Sequence, residues 1–464
     1  MSTRNQNRAY FALWVLFAIN MMNFYDRQVL GAVGEAIRKS WTLSDTSLGL
    51  LGTAFTLLYA AVGLPLGRLT DRASRKKILS VGVFVWSIFT AGSGLSRTYN
   101  QLFAARLGVG VGEASCAPAA ASLIGDLFPA SKRAKALAIF MLGLPLGIAA
   151  SNAISGWAVA RWDWQHAFYA ATVPGLLCAG LALFITEPKR GASEVHDIGG
   201  HKRKGSSFGL VLSIPTMWWI IASGALHNFN MYAIGGFLIP FLIRFHGMQN
   251  QGAGLVSMAV YGLSGIPGLL IGGYLGDSIM HRRANGRLLV GAIAIAISVP
   301  LNFLALTQAA GHIFVFSLLA GCGIGVMYAY YSTVYSTIQD VIEPSLRGTA
   351  MALYFFAMYV LGASLGPLLT GVVSDHYTKK AALAAGVTGF TDPGLSTKQV
   401  AALLEPFKGQ GLHSAMYLVP FLGALLTVVL FAASATVAKD REKLHRWMSE
   451  TAAKKAAASA ATAD

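Results

Sequence analysis

Four formal charges lie inside stretches that are otherwise apolar: Asp26 and Arg27 in a run starting near Tyr10, and Arg106 and Glu113 within RLGVGVGEA. A charge at the middle of a bilayer costs roughly 3 kcal/mol on insertion scales, so each of them needs a partner or water. Their depths follow from counting. Asp26 lies five residues before the end of its run and Arg106 five residues after the start of its own. At 1.5 Å per helical residue both sit about 7–8 Å below the same surface. Glu113 follows Arg106 by seven residues, two helical turns deeper on nearly the same face. The spacing predicts an Asp26–Arg106 pair with Glu113 lower in the same cavity. The chemistry open to such a group is proton uptake by Asp26 or Glu113. That would free Arg106, with Arg27 beside it, to bind an anionic head group bidentately. A fixed salt bridge that only holds the bundle together is the alternative.

The second half of the chain offers no such charges. Where the internal repeat would place a counterpart of Glu113 it has Val326. It carries HNFNMY and VMYAYYSTVYS instead, which supply aromatic faces and weak polar contacts. His227, Asn228, Asn230, Tyr328, Tyr331 and Tyr354 are the candidates for a substrate cavity, together with Tyr25 from the first half. Packing is the competing role for about half of these.

The elements that must position these residues are membrane helices. Of 464 residues, 55% are apolar and only 12% charged, against about 25% charged in ordinary soluble domains. Apolar runs near 20 residues match a hydrocarbon core of about 30 Å. They fall near 10–31, 47–68, 78–96, 101–125, 134–158, 166–186, 215–243, 252–275, 288–308, 312–337, 347–373 and 413–437. The expected fold is an all-α membrane protein with twelve transmembrane helices in two pseudo-symmetric six-helix bundles. Residues 1–188 and 211–438 form the bundles, 189–210 a cytoplasmic linker and 439–464 a cytoplasmic tail. With both termini cytoplasmic, 25 of the 36 Lys and Arg fall on the inner side and nine outside, as the positive-inside rule asks. The net charge of +16 thus reports anchoring at an inner leaflet, not nucleic-acid binding. Asp26 and Arg27 stand where a cleavage site would be wanted, so the first run is expected to be a retained span. No Asn-x-Ser/Thr sequon occurs, and the three cysteines suggest no disulfide framework. A bacterial inner membrane and a monomer fit these features. No nucleophile–base cluster, metal-ligand spacing or phosphate loop appears, so no enzyme, metal or cofactor is expected.

The two halves echo each other. GVGVG at 108–112 recurs as GCGIG at 321–325, 213 residues later. Repeated halves are a transporter signature, with the substrate path at their interface. In the long loop 374–412, Ser396 or Thr397 is placed to cap a short helix ending before Pro406. The charged, Ala-rich tail reads as a helix at the membrane surface or as a solvated tail.

GRLTDRASRKK (67–77) is the most specific local string. It resembles motif A of the major facilitator superfamily, and GYLGDSIMHRR (273–283) is its degraded second copy. The resemblance implies a conformational gate built on Gly67, Asp71, Arg72, Arg75, Lys76 and Asp277, with Asp71 at a neighbouring helix N-terminus. RLGVGVGEA resembles motif B of proton-coupled members, with Val109 in place of the usual Gln; its glycines read as close-packing sites. GASLGPLLTG (362–371) resembles motif C, in the half opposite the usual one. NFYDRQVLGAV (23–33) and RLGVGVGEASCAPAAASLIGDLF (106–128) make the first six spans similar to the Spinster family of lipid transporters. That resemblance implies a proton-coupled carrier of an anionic amphiphile such as a lysolipid or a sphingosine-phosphate-like molecule, driven by a proton gradient through alternating access. Asp26 and Glu113 match that family's acidic cavity residues and Arg106 its arginine in span four. Carriers of small organic anions such as sugar acids share a related opening and are the second expectation.

Overall fold

The computed structural model describes residues 3–70, 73–188, 207–343 and 346–461. Among these the regular structure is helical, and twelve long helices account for the bundle. The first half holds α1 (Thr3–Trp41), α2 (Asp45–Thr70), α3 (Arg75–Leu95), α4 (Tyr99–Glu113 continuing as Cys116–Leu127), α5 (Ala130–Met141 continuing as Gly143–Arg161) and α6 (Trp164–Leu183). The second holds α7 (Pro215–Arg244), α8 (Asn250–Ser257, a π turn Met258–Leu263, then Gly265–Met280), α9 (Gly286–Leu306), α10 (Ile313–Met327 continuing as Ala329–Val341), α11 (Arg347–Ala357, a π turn Met358–Ala363, then Leu365–Ala384) and α12 (Lys408–Met416 continuing as Leu418–Ala461).

Among the described residues, eleven helical stretches are long and apolar enough to cross a membrane. α1 falls short of that apolarity because Asn20, Asn23, Asp26, Arg27, Gln28 and Glu35 dilute it; at 39 residues it is nonetheless the longest helix of its half. Local signals set several starts. The Thr98 hydroxyl accepts from the Gln101 amide and opens α4, the Asp163 carboxylate accepts from the His166 amide and opens α6, and Pro215 stands in the first turn of α7, where it forfeits no hydrogen bond. In the long loop, Ser396 and Gln399 form a reciprocal capping box on the short helix Thr397–Leu404.

The apolar core divides in two. One cluster is drawn from residues 9–185. The other is drawn from residues 211–437, with Ala32 and Ile148 reaching into it. The halves meet where α1 packs on α7, α2 on α11 and α5 on α8. The ends of α2, α4, α6, α8 and α10 share one end of the bundle with the start of α1 and the tail. We call this the basic end, and its opposite, where α1 finishes and α2 begins, the far end.

Two features differ from the sequence reading. α1 does not stop at residue 31 but runs ten residues further, because Glu35 and Arg38 are buried as an ion pair (Oε1–Nη2 2.7 Å) on its inner face. The tail does not turn onto the membrane surface; it prolongs α12 as one 44-residue helix, Leu418–Ala461. Asp440 pins it by accepting from the Thr216 amide (3.0 Å) and hydroxyl (2.6 Å) at the start of α7. Arg441 donates to the Ala284 carbonyl (2.8 Å).

Candidate functional site

α1 and α4 carry the four buried charges to the centre of the bundle, where they form two ion pairs rather than one cation between two acids. Arg106 Nη2 donates to Asp26 Oδ1 at 3.0 Å, the Thr90 hydroxyl of α3 donates to the other carboxylate oxygen, and Phe168 of α6 lies 5.3 Å from the guanidinium carbon. Every partner in this pair belongs to the first half. Arg27 takes Glu113 instead, Nε to Oε2 at 2.8 Å. Its Nη1 reaches across to the second half, donating to the hydroxyls of Tyr359 (2.9 Å) and Tyr232 (3.3 Å). The reason is rotational: consecutive residues on a helix point about 100° apart, so Asp26 and Arg27 meet α4 at different levels, Asp26 at Arg106 and Arg27 at Glu113.

Aromatic rings wrap the Arg27 guanidinium. Its carbon is 4.3 Å from the Tyr59 ring centre, 5.2 Å from Phe24, 5.4 Å from Phe55 and 5.7 Å from Tyr359. Such faces attract a cation, more strongly where water is excluded. Glu113 is fully buried, and its second oxygen has no hydrogen-bond partner in the structure. Glycines bring the backbones close enough for this. A Cβ on Gly112 would stand 2.6 Å from the Trp86 amide nitrogen, and one on Gly110 2.8 Å from the Phe55 carbonyl.

A cavity lies between the halves beside these pairs. Arg27, Gln28 and Arg106 face it from the first half; Tyr232, Tyr261, Tyr328, Tyr331 and Phe237 face it from the second. Gln28 donates to Asn152 (3.1 Å) and to the Gly235 carbonyl (2.9 Å), tying α1 to α5 and α7. Of the expected cavity residues, Tyr328 and Tyr331 line it. The others do not. Tyr25 is buried in the core of the first half. Tyr354 is buried among α7 and α10, 3.1 Å from the Tyr330 hydroxyl. Asn228 sits behind Tyr331, whose hydroxyl donates to it at 3.4 Å. Asn230 turns to α12 and donates to the Val419 carbonyl at 3.1 Å. His227 stacks on Tyr330 with ring centres 3.9 Å apart and is closed off from the cavity. Sequence reasoning missed Phe55, Tyr59, Tyr232 and Tyr359. Phe55 and Tyr59 were findable as an i, i+4 aromatic pair on one face of α2; nothing local marked the other two.

At the basic end Arg75 ties α3 to α4 and to the segment after α6. It pairs with Asp126, and donates to Glu187 (3.2 Å), the Ser122 hydroxyl (3.0 Å) and the Pro188 carbonyl (2.7 Å). Burial alone would raise the Glu187 carboxyl, but donors from Ser74 and the Arg75 amide and guanidinium hold it below the ordinary 4.5. Lys76 donates to the Leu183 carbonyl at 3.3 Å. In the second half Arg287 bridges Asp277 (2.7 Å) and Asp340 (2.6 Å). Gly67 lies in α2, while its contacts, and Asp71 and Arg72, are outside the described residues. At the far end a further charge cluster joins the halves: Arg244 pairs with Glu35 (2.6 Å) and Asp45 (2.8 Å), and Arg38 with Glu405 (2.6 Å).

Residues 16–367 match the model of the Major Facilitator Superfamily. The chain belongs to that superfamily and is a multi-pass membrane transporter rather than an enzyme, and within it the chain is Spinster-like. Spinster homolog 1 of Xenopus laevis is 30% identical over 397 residues, covering 80% of this chain and 74% of its own length. The sphingosine-1-phosphate transporter of zebrafish (Danio rerio) is 26% identical over 453 residues, covering 93% and 85%. A crystal structure of a bacterial homologue of the human lysosomal transporter Spinster, inward-facing and unoccupied, superposes with a TM-score of 0.80 at 26% identity, covering 94% of this chain and 98% of that one.

Proposed function

We propose that this transporter moves an anionic amphiphile, a lysolipid or a sphingosine-phosphate-like molecule, by proton-coupled alternating access. The observation that carries the reading is the Arg27–Glu113 pair, enclosed by aromatic rings from both halves and open on one side to the cavity. A proton on Glu113 removes the negative half of that pair. Arg27 then has an unpaired guanidinium fork, which suits a phosphate or carboxylate bidentately. Asp26 and Arg106 offer the same exchange beside it. The cargo's apolar tail lies against Phe237, Tyr261, Tyr328 and Tyr331. The zebrafish relative named for sphingosine 1-phosphate supports this cargo class. The proton gradient supplies the driving force, with no cofactor or metal needed. The chain works as a monomer in a bacterial inner membrane with both termini cytoplasmic, so that the basic end faces inward.

The test is uptake into proteoliposomes under an imposed proton gradient. Asp26→Asn and Glu113→Gln each lower gradient-driven lysolipid uptake at least tenfold (about 1.4 kcal/mol). Full gradient-driven uptake by both variants overturns the coupling assignment.

A further inference from the structure

We propose that Asp375, capping the first turn of α2 from the opposite half, is the latch that holds the far end of the bundle closed. This rests on the alternating-access reading above. Asp375 belongs to the second half and α2 to the first. One Asp375 oxygen accepts from the Asp45 amide (3.1 Å), and the other from the Thr46 amide (2.9 Å) and hydroxyl (2.6 Å). The first-turn amides of a helix have no partner within the helix and carry the positive end of its dipole. Here an acid from the opposite half satisfies them, so the cap exists only while the halves are together.

The backbones confirm that this is a seam. A Cβ on Gly49 would collide with the Pro367 carbonyl and stand 2.7 Å from the Leu368 Cα. One on Gly371 would stand 2.6 Å from the Asp45 carbonyl carbon and 2.9 Å from the Thr46 nitrogen. With the two helices touching main chain to main chain, the gap can be opened only by separating the halves. The neighbouring bonds cross the same line. Asp45 Oδ2 accepts from the Ser374 hydroxyl (2.6 Å) and from Arg244 (2.8 Å), and Arg38 holds both oxygens of Glu405 (2.6 and 2.9 Å). A seal made of charges suits a gate. Its members lose hydration when closed and regain it when open, so the two states lie closer in free energy than they would across an apolar seal.

The latch is tested by double electron–electron resonance on the full chain, with Cys116, Cys178 and Cys322 replaced by Ala. One spin-label pair, Asn100→Cys with Ala309→Cys, reads the far end, and another, Lys132→Cys with Arg282→Cys, reads the basic end. Asp375→Ala raises the ratio of far-end-open to far-end-closed molecules about five- to tenfold, the scale of losing a charged helix cap, and shortens the basic-end distance. Asp375→Asn, which can still cap but carries no charge, falls between, and Glu405→Ala, on the exposed loop, shifts the ratio in the same direction. If the unaltered transporter switches between two distances on acidification or added lysophospholipid while Asp375→Ala and Glu405→Ala keep its distributions, the latch is wrong. If the unaltered transporter holds one distance at both ends under every condition, alternating access itself fails.

Discussion

Arg27 and Arg106 each hold one buried carboxylate, yet only Arg27 also binds the opposite half. Arg106, Asp26, Thr90 and Phe168 all belong to the first half, so moving the halves does not by itself break this pair, while a proton on Asp26 does. Breaking it leaves a buried charge unpaired, which typically costs about 3–5 kcal/mol. Asp26→Asn therefore lowers the melting temperature in detergent, and adding Arg106→Gln restores part of the loss, which a double-mutant thermal series reads directly. Arg27 instead binds hydroxyls of Tyr232 and Tyr359 across the interface. Arg27→Lys keeps the charge but loses the fork and the flat stacking surface, so uptake falls at least tenfold while the melting temperature changes little. Glu187 lies outside the spans and gives a pH prediction. Its carboxyl titrates lower folded than unfolded, so its contribution is present above about pH 4.5 and is lost as pH falls through the folded value. Glu187→Gln accordingly destabilises the transporter at pH 7, and a pH series of melting temperatures shows the difference shrinking as pH falls through the folded value. Of these pairings the Asp26–Arg106 one was legible from depth alone. The Arg27–Glu113 pair was not, because it depends on the rotational phase of α1 and on how far an arginine side chain reaches.

At the scale of helices, glycine divides into contacts and spacers, and the division is measurable. Gly112 meets the α3 backbone, with Gly82 and Trp86 both closer than 3 Å to an added Cβ, while Gly180 on α6 has nothing within 4 Å. Gly112→Ala thus lowers the melting temperature, whereas Gly180→Ala leaves it unchanged or raises it slightly through reduced unfolded-state freedom. Both effects read out in the same thermal assay. The spans themselves were legible because each apolar run matches a bilayer thickness. The run 362–371 was harder to value, since its resemblance to motif C says nothing of its neighbours. In the structure it seats α11 against α7 at Gly366, whose Cβ would approach Ala233 N at 3.2 Å, and against α2 at Pro367. The far end of α1 was misjudged for a physical reason. An apolarity criterion stops at the first charges, but Glu35 and Arg38 neutralise each other on a buried face and let the helix continue.

For the whole molecule the asymmetry between halves decides what cargo fits. Formal charge at the cavity comes from Arg27 and Arg106 in the first half; the second contributes rings and hydroxyls. A lysophospholipid or sphingosine phosphate therefore raises the melting temperature of the purified transporter, and a sugar acid of equal charge does not. Stabilisation by the sugar acid alone would redirect the assignment to small organic anions. The long-range geometry that creates this asymmetry, with Tyr359 of α11 resting 4.7 Å from Tyr59 of α2, was beyond the sequence because the partners lie 300 residues apart. One further feature has a practical side. The 44-residue helix Leu418–Ala461 is about 66 Å long at 1.5 Å per residue, and only part of that length is needed to span a bilayer. Because Asp440 and Arg441 bolt it to α7 and to the turn before α9, the portion beyond them is a stiff mast fixed in angle to the second half. A folded module joined to it through an unbroken helix would inherit that angle, giving electron microscopy of this small, otherwise featureless membrane protein a rigid landmark for particle alignment.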